Sequence, residues 1–166
     1  MAYFIGQLFG LLSTACSLAR SLFKEKRDML LANGLNNLLV IVNILLLDGF
    51  GSAVLVCATA VVQVLVMLRH LRLSTPVSRA ERILFLILFV AGGSLGYRTP
   101  LDILPIVGAV FNMLSTFQRD EQRTRWLLLI NGSTFAVYYF IIGSTALLSV
   151  LCSMASTAFA LYCYRK

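Results

Sequence analysis

The chain has 166 residues, 59% of them hydrophobic and only 13% charged, with a formal net charge of +7. That is too apolar for a water-soluble domain with a polar shell. The cations come in short bursts between apolar runs rather than on one solvated face, which excludes nucleic acid as a partner and points to the lipid bilayer.

A helix needs about 20 apolar residues to cross a hydrocarbon core, and about 17 at the short end. Seven stretches reach or approach that length: Tyr3 to Leu22, Met29 to Leu47, Phe50 to Leu68, Ile83 to Tyr97, Ile103 to Phe117, Trp126 to Ile142 and Thr145 to Cys163. The fourth and fifth are short. Met1, Ala2 and Tyr3 provide no basic region ahead of the first stretch, so it reads as a retained helix rather than a signal peptide. Cys16, Cys57, Cys152 and Cys163 lie inside apolar runs without metal-ligand spacing and read as packing residues. No metal or other cofactor is expected.

Short loops on the cytoplasmic side of a membrane collect Lys and Arg. Arg20, Lys24, Lys26 and Arg27 fall between the first and second stretches, and Arg69, Arg72, Arg79 and Arg82 between the third and fourth. Arg119, Arg123 and Arg125 lie between the fifth and sixth, and Arg165 and Lys166 end the chain. Thirteen of the 14 cations thus occupy alternate loops, with Arg98 the exception. Removing the fourth stretch would put the last two basic groups on the wrong side. The expected topology is seven crossings, with the N-terminus outside and the C-terminus cytoplasmic. Tyr3, Tyr97, Trp126, Tyr162 and Tyr164 fall near span ends, where amphipathic rings settle at the headgroups.

A short segment occurs twice. Leu30, Leu31, Ala32, Asn33 and Gly34 follow one basic loop; Leu128, Leu129, Ile130, Asn131 and Gly132 follow another. Aligning the Asn-Gly pairs also matches Ile5 with Ile103, Gly10 with Gly108, Ser17 with Ser115 and Arg27 with Arg125. Both copies enter the membrane in the same direction, as parallel repeats do. The predicted fold is an all-α membrane protein, residues 1–166 forming one domain: repeat one over 3–72, a linker helix over 82–97 and repeat two over 101–166. Two repeats in one chain allow a functional monomer. Small residues, including Gly6, Gly10, the cluster Gly92, Gly93 and Gly96, and the stripe Ser149, Ser153 and Ser156, suit close helix packing.

Polar groups at membrane depth carry the functional signal, because lipid offers them no water. The second helix carries Asn33, Asn36, Asn37 and Asn43, mostly on one face by helical spacing. On the sixth, Asn131, Thr134 and Tyr138 repeat the pattern, beside Ser133 and Tyr139. Gln7, Ser13, Thr14, Thr59, Gln63, Asn112, Ser115 and Thr116 extend it to neighbouring helices. These groups either line a polar cavity between the repeats or bond one another across helices, where one such bond is worth on average about 0.6 kcal/mol.

No carboxylate is expected at membrane depth, and the single histidine, His70, falls in a basic loop. A proton relay normally uses buried Asp, Glu or His, so a facilitator is expected rather than a proton-driven pump. A nucleophile with a base within reach, a metal site or paired carboxylates are all wanting, so no enzyme is expected. Asp102 and Arg98 read as a solvated pair at the outer surface.

The run from Asn131 through Tyr138 and Tyr139 to Gly143 resembles the sixth-helix pattern of SWEET and PQ-loop proteins. Pro100, Leu101, Asp102, Ile103, Leu104, Pro105, Ile106, Val107 and Gly108 resemble the YgjV-like bacterial inner-membrane proteins more closely. The resemblance implies a SWEET-like three-one-three helix arrangement in a bacterial inner membrane. It also implies hinge prolines in both repeats; Pro105 fits that role, but the matching position in the first repeat is Gln7. The substrate-binding candidates are Asn33, Asn36, Asn37, Asn131, Thr134 and Tyr138, and the solute would be small and polar. The second reading is a non-transporting scaffold whose asparagines hold helices together or contact a partner protein. A third is attraction of anionic lipid headgroups by the loops from Arg20 to Arg27 and Arg69 to Arg82.

Overall fold

The computed structural model describes residues 2–47, 52–95, 97, 100–141 and 146–164. Among them are seven α-helices: α1 (Ala2–Leu22), α2 (Lys26–Leu47), α3 (Ser52–Arg72), α4 (Arg79–Ser94), α5 (Ile103–Phe117), α6 (Glu121–Ile141) and α7 (Ala146–Cys163). A 3₁₀ turn at Pro100–Asp102 leads into α5. Asp48, Gly96, Arg98, Gly143, Arg165 and Lys166, and the span ends Phe50, Ile142 and Thr145, lie outside the described residues.

Each helix falls on its apolar stretch, but four extend past it at one end. The second stretch gains Lys26 to Asp28, the third runs on to Arg72, the fourth starts at Arg79 and the sixth at Glu121. Apolar runs mark membrane depth, whereas helices continue through polar residues until a cap stops them. The cap of α4 is explicit. Ser78 Oγ accepts from the Glu81 amide at 3.1 Å, and Glu81 Oε2 accepts from the Ser78 amide at 2.8 Å, a reciprocal capping box.

Glu81 also accepts from His70 Nε2 at 3.0 Å, tying the end of α3 to the start of α4. The Ser78 amide and His70 together hold the Glu81 carboxyl below its ordinary value. A depressed carboxyl contributes stability above its unfolded value near about 4.3 and loses it as pH falls through the folded value. Melting temperature should therefore fall on acidification through that window, and Glu81→Gln should flatten part of the fall. The pair is only partly buried, so the effect is a few tenths of a kcal/mol, within the ~0.2–1 kcal/mol scale of surface pairs. A variant with the wild-type profile would rule this contribution out.

In cross-section, α1 packs on α2, α2 on α3, α3 on α5, α5 on α6, α6 on α7 and α7 back on α1, while α4 sits outside against α3 and α5. The six helices form a closed ring and α4 braces one joint of it. That joint holds the apolar core of Leu30, Ala60, Val64, Met67, Phe85, Phe89, Ala109, Met113 and Phe117. Phe85 meets Phe117 edge-on with centroids 5.5 Å apart. On α4, Phe85, Phe89 and Gly92 turn inward at helical spacing while Ile83, Leu84 and Ile87 face out.

Glycines set the closest helix approaches. A Cβ on Gly108 of α5 would lie 2.7 Å from Phe135 Cε2 and 2.8 Å from Thr134 Oγ1 on α6, and one on Gly34 of α2 would lie 3.2 Å from Val64 Cγ1 on α3. Overpacking of the first kind costs about 1–3 kcal/mol. Gly108→Ala should thus lower the melting temperature of the detergent-solubilised protein clearly, and Gly34→Ala by less. Wild-type melting of Gly108→Ala would show that α5 and α6 can part without cost.

The molecule is apolar outside and polar inside. Phe4, Leu11, Phe140 and Leu148 are 68–74% exposed, whereas Arg125, Gln63 and Ser21 are no more than 2% exposed. Water would not tolerate an outer surface of that kind over most of a monomer. Among the described residues, Lys26–Leu46, Val54–Arg72 and Pro100–Phe117 are long and apolar enough to cross a membrane, and Leu147–Cys163 is apolar but shorter.

Candidate functional site

The ring encloses a cavity of about 600 Å³ lined by α1, α2, α3, α5, α6 and α7, with Phe89 and Gly93 of α4 reaching its wall. Five of the six predicted binding residues, Asn33, Asn36, Asn37, Asn131 and Tyr138, line it, as does Pro105. Thr134 is not among the lining residues; its hydroxyl donates to the Asn131 carbonyl at 2.7 Å and its side chain lies against Gly108. Helical spacing put Thr134 on the Asn131 face, but the close approach of α5 occupies that part of the face.

Asn33 and Asn131, which open the two Asn-Gly pairs, have different surroundings. Asn33 is 3% exposed, and its Oδ1 accepts from Arg20 Nη1 at 2.5 Å while its amide donates to Thr116 Oγ1 at 3.4 Å. Asn37 donates back to the Asn33 carbonyl at 2.7 Å. By contrast, Asn131 Oδ1 is buried and, among the described residues, has no partner. Asn43 is used in packing, donating to the Gly6 carbonyl at 2.6 Å. Thr59 donates to the Leu55 carbonyl of its own helix at 2.9 Å and does not line the cavity.

Pro105 occupies the first turn of α5. A proline there removes no intrahelical hydrogen bond and makes no hinge of the kind that a mid-helix proline does. Gln7, which the sequence alignment pairs with Pro105, has a side chain outside the described residues. Asp102 lines the cavity, with Oδ1 3.5 Å from the Tyr138 hydroxyl; Arg98, its expected partner, lies outside the described residues.

Three cations expected in loops are built into the helices at the end where α1, α3, α5 and α7 finish. Arg20 is 9% exposed, Lys26 6% and Arg125 2%. Lys26 Nζ donates to the Ser115 carbonyl and to Thr124 Oγ1, both at 2.8 Å. Arg125 donates from Nε to the Ser21 carbonyl at 3.3 Å and from Nη2 to the Phe23 carbonyl at 2.7 Å, with its guanidinium 5.0 Å from the Tyr164 ring. Ser21 and Thr157 hydroxyls meet at 2.6 Å, and Ser17 and Ser153 at 3.3 Å. Gln63 Nε2 donates to the Met113 carbonyl at 2.8 Å. Among the described residues, the hydrogen bonds joining α1–α3 to α5–α7 all lie toward this basic end, and the cavity lies beyond them.

A family model for bacterial inner membrane proteins, Imp-YgjV, matches residues 4–166. The chain belongs to the Imp-YgjV family. No curated protein and no solved structure matches it. An inner-membrane family accords with the apolar exterior and the polar ring interior described above. Sequence reasoning placed Arg20 among the orienting charges and so missed its position on the cavity wall. The signal was present: Ser13, Ser17 and Arg20 lie at steps of four and three on α1, continuing the polar face that includes Thr14.

Proposed function

We propose that this Imp-YgjV family member binds, and moves across the inner membrane, a small polar solute held in the cavity between two three-helix repeats, α1–α3 and α5–α7, joined by α4. The observation that carries the reading is the cavity itself: about 600 Å³, large enough for a small metabolite, with Asn131 on its wall and the Oδ1 of that residue buried and unpartnered among the described residues. An unfilled buried acceptor costs about 1–3 kcal/mol, and a ligand donor would remove that cost.

The ring supports the repeat. Exchanging α1, α2 and α3 for α5, α6 and α7 maps its packing pattern onto itself, and α4 is the element without a counterpart. In the proposed topology the helices cross seven times, the N-terminus lies outside and the C-terminus in the cytoplasm. The hydrogen bonds at the basic end would then close the cytoplasmic side. The mechanism is non-enzymatic facilitation, with side-chain amides and hydroxyls exchanging hydrogen bonds with the solute.

One observation favours structural use of part of the polar set: Asn33 and Asn37 already bond each other and Arg20. The scaffold reading therefore has its best support on α2. Uptake into proteoliposomes separates the two functions. A saturable, concentration-dependent influx of polar solutes absent from protein-free vesicles is expected; no influx together with no ligand-induced rise in melting temperature would leave the scaffold.

A further inference from the structure

We propose that the solute is a small organic anion and that Arg20 is the residue that pairs its carboxylate or phosphate group. This rests on the reading of the cavity as a solute site and narrows it to one ligand class.

Arg20 is the lysine-or-arginine side chain on the cavity wall; Lys26 and Arg125 do not line it. Its Nη1 donates to two neutral amide oxygens, Asn33 Oδ1 at 2.5 Å and Asn112 Oδ1 at 3.3 Å. Its Nε is buried without a partner among the described residues. No ion pair to Arg20 is present among those residues, and Asp102, a carboxylate on the same cavity wall, stands ten residues before Asn112 with its Oδ1 3.5 Å from the Tyr138 hydroxyl. Arginine keeps its charge even where water is scarce.

A guanidinium 9% exposed and facing only neutral acceptors is an uncompensated charge, and such a charge is strongly destabilising when buried. The other two buried cations differ, since their donors are occupied by backbone carbonyls, a hydroxyl and an aromatic ring. Among the described cations, Arg20 alone combines an unpartnered Nε with a place on the cavity wall. Two parallel N–H donors of a guanidinium match the two oxygens of a carboxylate or phosphate. Asn33 and Asn112, by gripping Nη1 from α2 and α5, fix the fork's direction before the ligand arrives.

The test uses the full chain in a neutral detergent at constant ionic strength, followed by melting temperature. Each anion is compared with a neutral twin: acetate with acetamide, succinate with succinamide, glycerol 3-phosphate with glycerol. Phosphatidylglycerol with phosphatidylcholine forms a separate lipid arm. A saturable rise with at least one soluble anion and not with its twin is expected, weakened by at least about tenfold in Arg20→Gln. Asn112→Asp covers the case in which Arg20→Gln fails to fold. It places a carboxylate beside the guanidinium without changing shape, so the ligand-free protein should melt no lower than wild type while anion binding is lost.

Equal stabilisation by anions and their twins, or anion binding that survives Asn112→Asp, overturns the anion assignment and leaves a neutral-solute cavity standing. Stabilisation by phosphatidylglycerol alone assigns the charge to a lipid headgroup and also overturns it. The absence of a shift with any soluble compound, joined to absent uptake in proteoliposomes, overturns the solute site as well.

Discussion

Asn131→Ala should lose the proposed solute binding while its melting temperature stays near that of wild type; Asn33→Ala, the same change in the other Asn-Gly pair, should lower the melting temperature sharply. Each residue opens an Asn-Gly pair that follows a basic loop, and their surroundings separate them. Asn131 Oδ1 has no partner among the described residues, so removing it breaks no described bond to that atom and relieves an unsatisfied acceptor. The stability change should stay within about 0.6 kcal/mol, the average for one polar contact between membrane helices. Asn33 Oδ1 instead receives the Arg20 guanidinium at 2.5 Å. Hydrogen bonds to charged groups are worth about 1.5–3 kcal/mol, and the truncation leaves the buried charge with less compensation. Melting curves of both variants, with and without a stabilising solute, decide the matter. If Asn131→Ala melts as low as Asn33→Ala, both asparagines are structural and the solute reading loses its main support.

The helix layout was legible because bilayer thickness imposes length and apolarity on each segment. Even α4, the doubtful stretch, forms; at 16 residues it is about 24 Å long at 1.5 Å per residue, short against a core of about 30 Å. The polar lining was legible on α2 and α6, where amides in an apolar run have few explanations. Arg20, Lys26 and Arg125 were not. At the end of an apolar stretch, a basic residue facing headgroups and one facing a neighbouring helix look alike in a single sequence. Only the ring closure turns these three inward: Lys26 and Arg125 reach acceptors about a hundred positions away along the chain, and Arg20 reaches the amide oxygens of Asn33 and Asn112. Thr134 failed for the complementary reason: spacing gives the face of a helix, and which neighbour covers that face depends on where glycine lets a partner in.

Arg125 is the residue whose loss should damage the fold most. It is 2% exposed and the bulkiest of the fully buried side chains. From α6 it reaches the Ser21 carbonyl, at the end of α1, and the Phe23 carbonyl just past it, two acceptors left over where the helix stops. Such end carbonyls need an outside partner, and here the partner comes from the opposite half of the ring. Arg125→Ala removes two charge-assisted bonds and the packing over Tyr164 at once. At about 1.5–3 kcal/mol for each bond, losses of about 3 kcal/mol or more are expected, read as a collapse in melting temperature or in recovery of monodisperse protein from detergent. Arg125→Lys should recover part of that loss and not all of it, because a lysine ammonium is a point charge without the planar fork that spans both carbonyls. The comparison isolates geometry from charge. Full recovery in the lysine variant would mean that the basic end is held by charge alone, whereas wild-type stability in the alanine variant would mean that α1 and α6 are not joined through Arg125.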